Sequence, residues 1–174
     1  MGQRPSRRRR SIRLAGFDYR QPGAYFVTIC TRQRESILAD ILDEGLFLSP
    51  LGRVVLRCWR QIPAHFPHVG LDVHVIMPDH IHGILRMNRR GTPWRAPTPR
   101  EAFGGPVSGS LPTVIRSFKS AVGILAAGQR LCSGRVWQRG DYERVIRGQK
   151  ELDRLREYVV QNPMAKSFQQ EPPI

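Results

Sequence analysis

The pattern of apolar and polar positions predicts strands near the start of the chain. Residues 24–31 (AYFVTICT) are β-branched and aromatic, and they follow the turn-like residues 21–23 (QPG). Such an apolar run is typical of a strand that is buried on both faces. Residues 36–48 form two shorter strand-like pieces around residues 43–45 (DEG), which indicates a hairpin.

Further strands are predicted in the middle of the chain and near its end. Residues 71–77 alternate and then become apolar, Pro78-Asp79 forms a tight break, and residues 80–87 resume the alternation. Two antiparallel strands are therefore expected to meet at this break. Residues 135–146 contain strand-forming side chains and are also predicted to be extended.

Three segments have the apolar spacing of an amphipathic helix, namely residues 51–62, 110–127 and 150–161. The sequence Asn162-Pro163 is expected to end the third helix. Strands and helices thus interleave as strand, hairpin, helix, hairpin, helix, strand, helix. This order predicts an α+β fold, in which an antiparallel sheet carries helices on one face.

The length of the chain suits one folded domain rather than two. We expect a basic N-terminal arm over residues 1–20, a catalytic domain over residues 21–168 and a tail over residues 169–174. Within the domain, residues 88–109 hold prolines, glycines and arginines with few core-forming side chains, which predicts a mobile basic loop.

The charge of the chain indicates a polyanionic partner. The 28 Lys and Arg residues against 14 acidic ones give a formal net charge of +14. Anionic membrane is the competing interpretation, but the chain has neither a long basic amphipathic helix nor a lipidation signal. Nucleic acid is therefore the expected partner. The candidate DNA-contacting residues are Arg7, Arg8, Arg9, Arg10, Arg89, Arg90, Trp94, Arg95, Lys119 and Arg144.

The three cysteines are scattered and show no CxxC spacing, which predicts neither a disulfide framework nor a structural zinc site. No stretch is apolar enough over a sufficient length to span a bilayer. We expect a cytoplasmic, nucleoid-associated protein.

The first candidate for chemistry is His80-Ile81-His82, which lies in an otherwise hydrophobic predicted strand. The two-residue period of a strand places both imidazoles on one face, about 6.6 Å apart at the backbone, and Ile81 in the core. Two imidazoles so placed can share a divalent ion with a third ligand. The alternative is a pair of half-buried histidines with structural hydrogen bonds.

The second candidate is the pair Tyr158 and Asn162 on the third predicted helix. Four residues apart, they lie on one side of the helix beside its apolar stripe. A tyrosine phenolate can form a phosphoester, and an amide oxygen can complete a metal site that suits Mg²⁺ or Mn²⁺. Taken singly, a packed helix tyrosine and a plain helix terminus are the favoured explanations, and it is the joint occurrence with the basic chain and the His-x-His strand that favours an enzyme.

Four segments in order, AYFVTICT, VIMPDHIHGIL, VWQRGDYERVIR and REYVVQNP, resemble the REP-associated tyrosine transposases, which are HUH single-tyrosine transposases. The similarity runs from about residue 10 to about residue 166 and omits the loop of residues 88–109. It implies a ferredoxin-like or RRM-like sheet with the histidine pair on a central strand and the tyrosine on a neighbouring helix.

The resemblance also implies a reaction. His80 and His82 match the family's histidine pair, Tyr158 matches its nucleophile, and Asn162 assists the metal. The expected activity is cleavage and rejoining of single-stranded or hairpin DNA at repeats, through a 5′-phosphotyrosine intermediate, by a monomer or a homodimer. Asp79 and Arg144 stand where many relatives carry other residues, which leaves the preferred ion and the DNA contacts open.

Three alternatives remain at the level of sequence. Tyr142 is a rival nucleophile, although it follows Gly140-Asp141 rather than lying on a helix. The chain is alternatively a noncatalytic single-stranded nucleic-acid-binding module on an RRM-like sheet. A replication or conjugation initiator with the same chemistry is a third possibility, which the short chain disfavours.

Overall fold

The computed structural model describes residues 17–88 and 108–165, with side chains up to residue 163. The strands of this part are β1 (Gly23–Cys30), β2 (Ala39–Leu42), β3 (Gly45–Leu48), β4 (Val69–Ile76), β5 (His80–Met87) and β6 (Tyr142–Ile146). The helices are α1 (Pro50–Arg60), α2 (Ile62–His65), α3 (Leu111–Gly128) and α4 (Gln149–Ala165). A 3₁₀ turn, Arg32–Arg34, follows β1.

The main sheet has four antiparallel strands in the order β4-β5-β1-β6, and β2 and β3 form a separate hairpin. The predicted α+β class with an antiparallel sheet is confirmed. Strand β1 lies between β5 and β6, so that Thr28 is opposite His82 on one side and Tyr142 on the other. This register brings residues from three distant segments into one row across the sheet.

The first face of the sheet is packed against α1 and α3. Alternate residues of β1 and β5, including Val27, Ile29 and Ile81, are fully buried in this layer. A Cβ atom at Gly83 would lie 2.4 Å from Cζ2 of Trp59, so only glycine lets the Trp59 ring lie against β5. On β1 and β5 this face is an apolar core.

The second face is packed against α4, whose residues Leu152, Leu155 and Val159 contact Phe26 and Ile84. The expectation of helices on one face was therefore wrong. The central strands carry apolar side chains at both odd and even positions. Each of these two sets lies on its own face of the sheet, and each face must be buried by packed helices.

Two predicted boundaries also differ. Helix α4 continues through Pro163 to Ala165. The helical φ suits proline, and its missing N–H removes one hydrogen bond of the last turn. Of residues 135–146, only β6 is a strand, since Gly140 has a left-handed φ of 81°. The carbonyls of Gln138 and Gly140 bind the amine of Lys119 instead of a neighbouring strand.

No described helix is long and apolar enough to cross a membrane. Most of the predicted N-terminal arm, basic loop and tail falls on residues 1–16, 89–107 and 166–174, which lie outside the described residues. Those assignments and the domain bounds stay predictions.

Candidate active site

The histidine pair lies at the start of the central strand β5, directly after the break at Pro78-Asp79. His80 and His82 point to the α4 side of the sheet, and their ring centroids are 4.4 Å apart. They are 8% and 4% exposed. The sequence prediction that both imidazoles share one face is confirmed, as is the placement of Ile81 in the opposite core.

Both imidazoles are held through Nδ1. Nδ1 of His80 is 2.8 Å from Oδ1 of Asp79, and Nδ1 of His82 is 2.8 Å from Oγ1 of Thr28. Because a carboxylate only accepts, Nδ1 of His80 donates this hydrogen bond, and Nε2 is left for a second partner. If Nδ1 of His82 donates to Thr28, Nε2 of that neutral ring carries a lone pair. Histidine ligands to metals are commonly oriented in this way.

Tyr158 reaches this pair from α4. Its hydroxyl lies 3.4 Å from Nε2 of His82. Phe26 packs against both rings, with centroids 5.2 Å from His82 and 6.2 Å from Tyr158. The sheet and the helix thus bring together two residues that are 76 positions apart in the sequence.

Asn162 lies one helical turn after Tyr158 and is 9% exposed. Burial raises the pKa of the Tyr158 phenol, and the nearby side chain of Asn162 opposes this shift in part. The predicted helix pair is therefore assembled with the histidine pair in one cluster.

Burial also sets the charge of His82. It is the largest of the effects that together lower the pKa of His82 to about 3, and the proximity of His80 and Arg34 acts in the same direction while Asp79 opposes them. The imidazole is therefore neutral at neutral pH and available as a lone-pair donor. The protonated Tyr158 phenol beside it is neutral as well.

The part of the chain that the structure describes contains no cluster of three or more His, Cys, Asp or Glu side chains able to hold a metal ion. The predicted set of two imidazoles and one amide remains a candidate of a different composition. Since Nε2 of His82 has one lone pair, it either accepts a hydrogen bond from Tyr158 or binds a cation. The 3.4 Å contact describes the first arrangement.

The rival nucleophile Tyr142 lies on β6, opposite Thr28, and packs at the edge of the layer under α4. It therefore shares the face of the histidine pair. Among the described residues, however, the hydrogen bond and the ring contact to His82 are made by Tyr158. The geometry favours Tyr158 over Tyr142.

No family model matches the chain. An uncharacterised protein of Haemophilus influenzae is 37% identical over 160 residues, which cover 90% of this chain and 88% of the relative. The chain belongs to the same family as this protein. A second protein of that organism, named "Putative REP-associated tyrosine transposase", is 26% identical over 154 residues, covering 87% of this chain and 76% of the relative.

A solved structure of a REP-associated tyrosine transposase bound to a REP hairpin has the same fold. It matches with a TM-score of 0.60 at 16% identity, covering 90% of this chain and 74% of the other. The resemblance to REP-associated tyrosine transposases that the four motifs indicated is confirmed. These similarities support a transposase-family role.

Two of the ten predicted DNA-contacting residues of the chain, Lys119 and Arg144, lie in the part that the structure describes. Both make ion pairs. Arg144 pairs with Glu151 at 2.7 Å. The amine of Lys119 binds Asp141 and the carbonyls of Gln138 and Gly140. Lys119 thus fixes the chain before β6. The remaining eight candidates lie outside the described residues, and all ten stay predictions.

Sequence reasoning missed three neighbours of the site: Phe26, Thr28 and Arg34. The alternation of β1 puts Phe26 and Thr28 on one face, but their partner strand became known only with the register. Arg34 lies in the turn after β1, and its Nη1 is 3.3 Å from Oδ2 of Asp79. Nothing in the sequence of this short basic turn predicted that Arg34 lies beside Asp79.

Proposed function

We propose that the protein is a metal-dependent transposase or endonuclease of single-stranded DNA, which cleaves and rejoins DNA at repeat hairpins. The observation that carries the proposal is the position of the Tyr158 hydroxyl, 3.4 Å from Nε2 of a neutral histidine in a paired-histidine site. The relative of known structure that shares the fold is bound to a REP hairpin, which supports hairpin DNA as the substrate here.

Tyr158 acts as the nucleophile. Its oxygen attacks the scissile phosphorus, the bond from phosphorus to the 3′ oxygen breaks, and the phenol proton is balanced by the proton that the leaving oxygen takes up. The products are a 5′-phosphotyrosine and a free 3′-hydroxyl. A 3′-hydroxyl then attacks the phosphotyrosine and restores the phenol. No ATP is needed, because the phosphoester bond is retained.

The residues present fit a divalent cation. His80 and His82 are each held at Nδ1, which directs Nε2 away from the supporting side chains, and the buried amide of Asn162 lies one turn from the nucleophile. Mg²⁺ or Mn²⁺ held there would neutralise charge on the scissile phosphate and favour the phenolate of Tyr158. That contribution is needed, because burial raises the pKa of Tyr158.

The noncatalytic alternative is less well supported. An RRM-like module stacks bases on an open face of its sheet. In the described part of this chain, α1 and α3 cover one face and α4 covers the other. The histidine pair and Tyr158 are also assembled within one chain, which supports a site completed in cis.

The test uses labelled single-stranded hairpins taken from repeats beside the gene, incubated with the protein and either Mn²⁺ or EDTA. We expect an Mn²⁺-dependent covalent adduct that peptide mapping places on Tyr158. Tyr158→Phe should reduce cleavage by about a thousandfold or more without weakening DNA binding, and Tyr142→Phe is the matched control. An adduct that persists in Tyr158→Phe and disappears in Tyr142→Phe would transfer the role. Tight binding without an adduct would favour the noncatalytic module.

A further inference from the structure

Arg34 occupies an unusual position beside the candidate site. Its side chain is 58% exposed, and Nη1 makes a hydrogen bond of 3.3 Å to Oδ2 of Asp79. Oδ1 of the same carboxylate binds Nδ1 of His80. One carboxylate group therefore separates the guanidinium from a histidine of the site.

The turn that carries Arg34 is fixed to Asp79, directly before the start of β5, and is strained. The backbone N–H and the hydroxyl of Thr31 both donate to the carbonyl of Asp79, at 2.9 Å each. Gln33 and Arg34 have φ values of 56° and 59°, a left-handed conformation that residues other than glycine seldom adopt. The chain keeps two long side chains where glycine would relieve the strain, and such strain is concentrated at functional sites.

The charges around the site leave a role for this cation. Asp79, which contacts both His80 and Arg34, is a carboxylate that would repel a DNA phosphate. Lys119 also lies near this end of β1, but its side chain is 16% exposed and its amine binds Asp141 and two carbonyls. Of these two cations, Arg34 is the more open to an incoming phosphate.

Resting on the proposed function, we propose that Arg34 is a phosphate-binding residue of the site, whose guanidinium passes from Asp79 to a backbone phosphate of the DNA next to the scissile bond. The exchange is easy because an exposed ion pair contributes little stability. The planar guanidinium can donate two hydrogen bonds to one phosphate, which lysine cannot do with the same geometry. Asp79 then remains bound to His80.

The experiment measures binding of a hairpin oligonucleotide by fluorescence anisotropy in EDTA, so that it does not depend on cleavage. Arg34→Gln should weaken binding on the order of tenfold and reduce the slope of log K against log salt by about 0.7 to 1. Arg34→Lys should retain part of the affinity. The matched control is Arg57→Gln, which removes an exposed positive charge from α1 on the opposite face and should leave the slope unchanged.

Neutral methylphosphonate linkages, placed one at a time, identify the phosphate. Wild-type protein should lose affinity when the phosphate next to the cleavage position is neutral, and Arg34→Gln should show no further loss at that linkage. Equal affinity and equal salt slope for Arg34→Gln and wild type, or equal sensitivity of both to every linkage, would overturn the assignment. An adduct on Tyr158 with no effect of Arg34→Gln refutes this inference alone. Binding without an adduct refutes the proposed function, and the comparison of Arg34→Gln with wild type still tests whether Arg34 binds phosphate. Absence of binding by the wild-type protein refutes both proposals.

Discussion

The two faces of strands β1 and β5 are built from alternate residues of the same sequences, yet they differ in kind. The face under α1 and α3 is apolar along its whole length, with Val27, Ile29 and Ile81 fully buried. The face under α4 is apolar at one end only. At the other end, it carries Thr28 and the histidine pair.

This difference shows how a small sheet separates stability from chemistry. Within three consecutive residues, His80 and His82 contribute to the site while Ile81 contributes to the core. The polar end of the second face is kept in place by hydrogen bonds at the Nδ1 atoms of His80 and His82, and the apolar end by Phe26 and Ile84 against α4. Changes on the two faces should therefore have separable effects.

The largest effect on stability is expected from the core face. Ile81→Ala removes a fully buried side chain and should destabilise the protein by about 2 to 5 kcal/mol, because the lost contacts leave a cavity. The melting temperature should fall by roughly 10 °C, while the fraction of molecules that remains folded at low temperature should still form the DNA adduct. Ile124→Ala, at a position 69% exposed on α3, is the control and should leave the melting temperature unchanged.

If Ile81→Ala is fully folded at low temperature but forms no adduct, the effects of changes on the two faces are not separable. Thermal unfolding followed by circular dichroism and adduct yield per folded molecule are the two measurements needed.

The site face should show the opposite result. Thr28→Val removes the partner of Nδ1 of His82 while keeping the shape of the side chain, so that the ring loses its orientation. We expect Mn²⁺ affinity and cleavage rate to fall by about 10 to 100-fold, with a smaller loss of melting temperature than in Ile81→Ala. Thr28→Ser keeps the hydroxyl and should recover most of the activity. If valine and serine behave alike, the hydroxyl does not position the ring.

The sequence predicted the candidate catalytic and metal-binding residues of this site better than it predicted the residues around them. The spacings His-x-His and Tyr-x-x-x-Asn are local, so periodicity alone placed each pair on one face of its element. The contact of Thr28 with His82 spans 54 positions and depends on strand register, which a single sequence does not specify. Arg34 depends on a left-handed turn at residues that carry no glycine.

The expectation of helices on one face had a counterargument in the sequence itself. Residues 24–31 were predicted to be buried on both sides, and a strand buried on both sides requires cover on both. The apolar stripe of α4 supplies the second cover. Pro163 concealed the length of this helix, because a proline in the last turn is compatible with helical φ.

The smallest expected effect concerns one of the polar contacts that join α4 to the sheet. Asp72 on β4 accepts hydrogen bonds from Nε and Nη2 of Arg156 at 3.1 and 2.7 Å, two residues before Tyr158. The hydrogen bond with Arg156 lowers the pKa of Asp72 below its ordinary value of 3.8. Because the folded state binds the proton less tightly than the unfolded state, this contribution to stability is present above pH 3.8 and is lost as the pH falls through the lower folded value.

Asp72→Asn should therefore lower the melting temperature by roughly 2 to 4 °C at neutral pH, and the gap to wild type should narrow as the pH falls below about 4. The control Asp40→Asn changes an exposed carboxylate of β2 and should show no such gap. Thermal melts from pH 7 to pH 3 measure both. A gap that stays constant down to pH 3 would show that the charge of Asp72 does not hold α4, and that other contacts, such as those with Phe26 and Ile84, set the position of the Tyr158 helix.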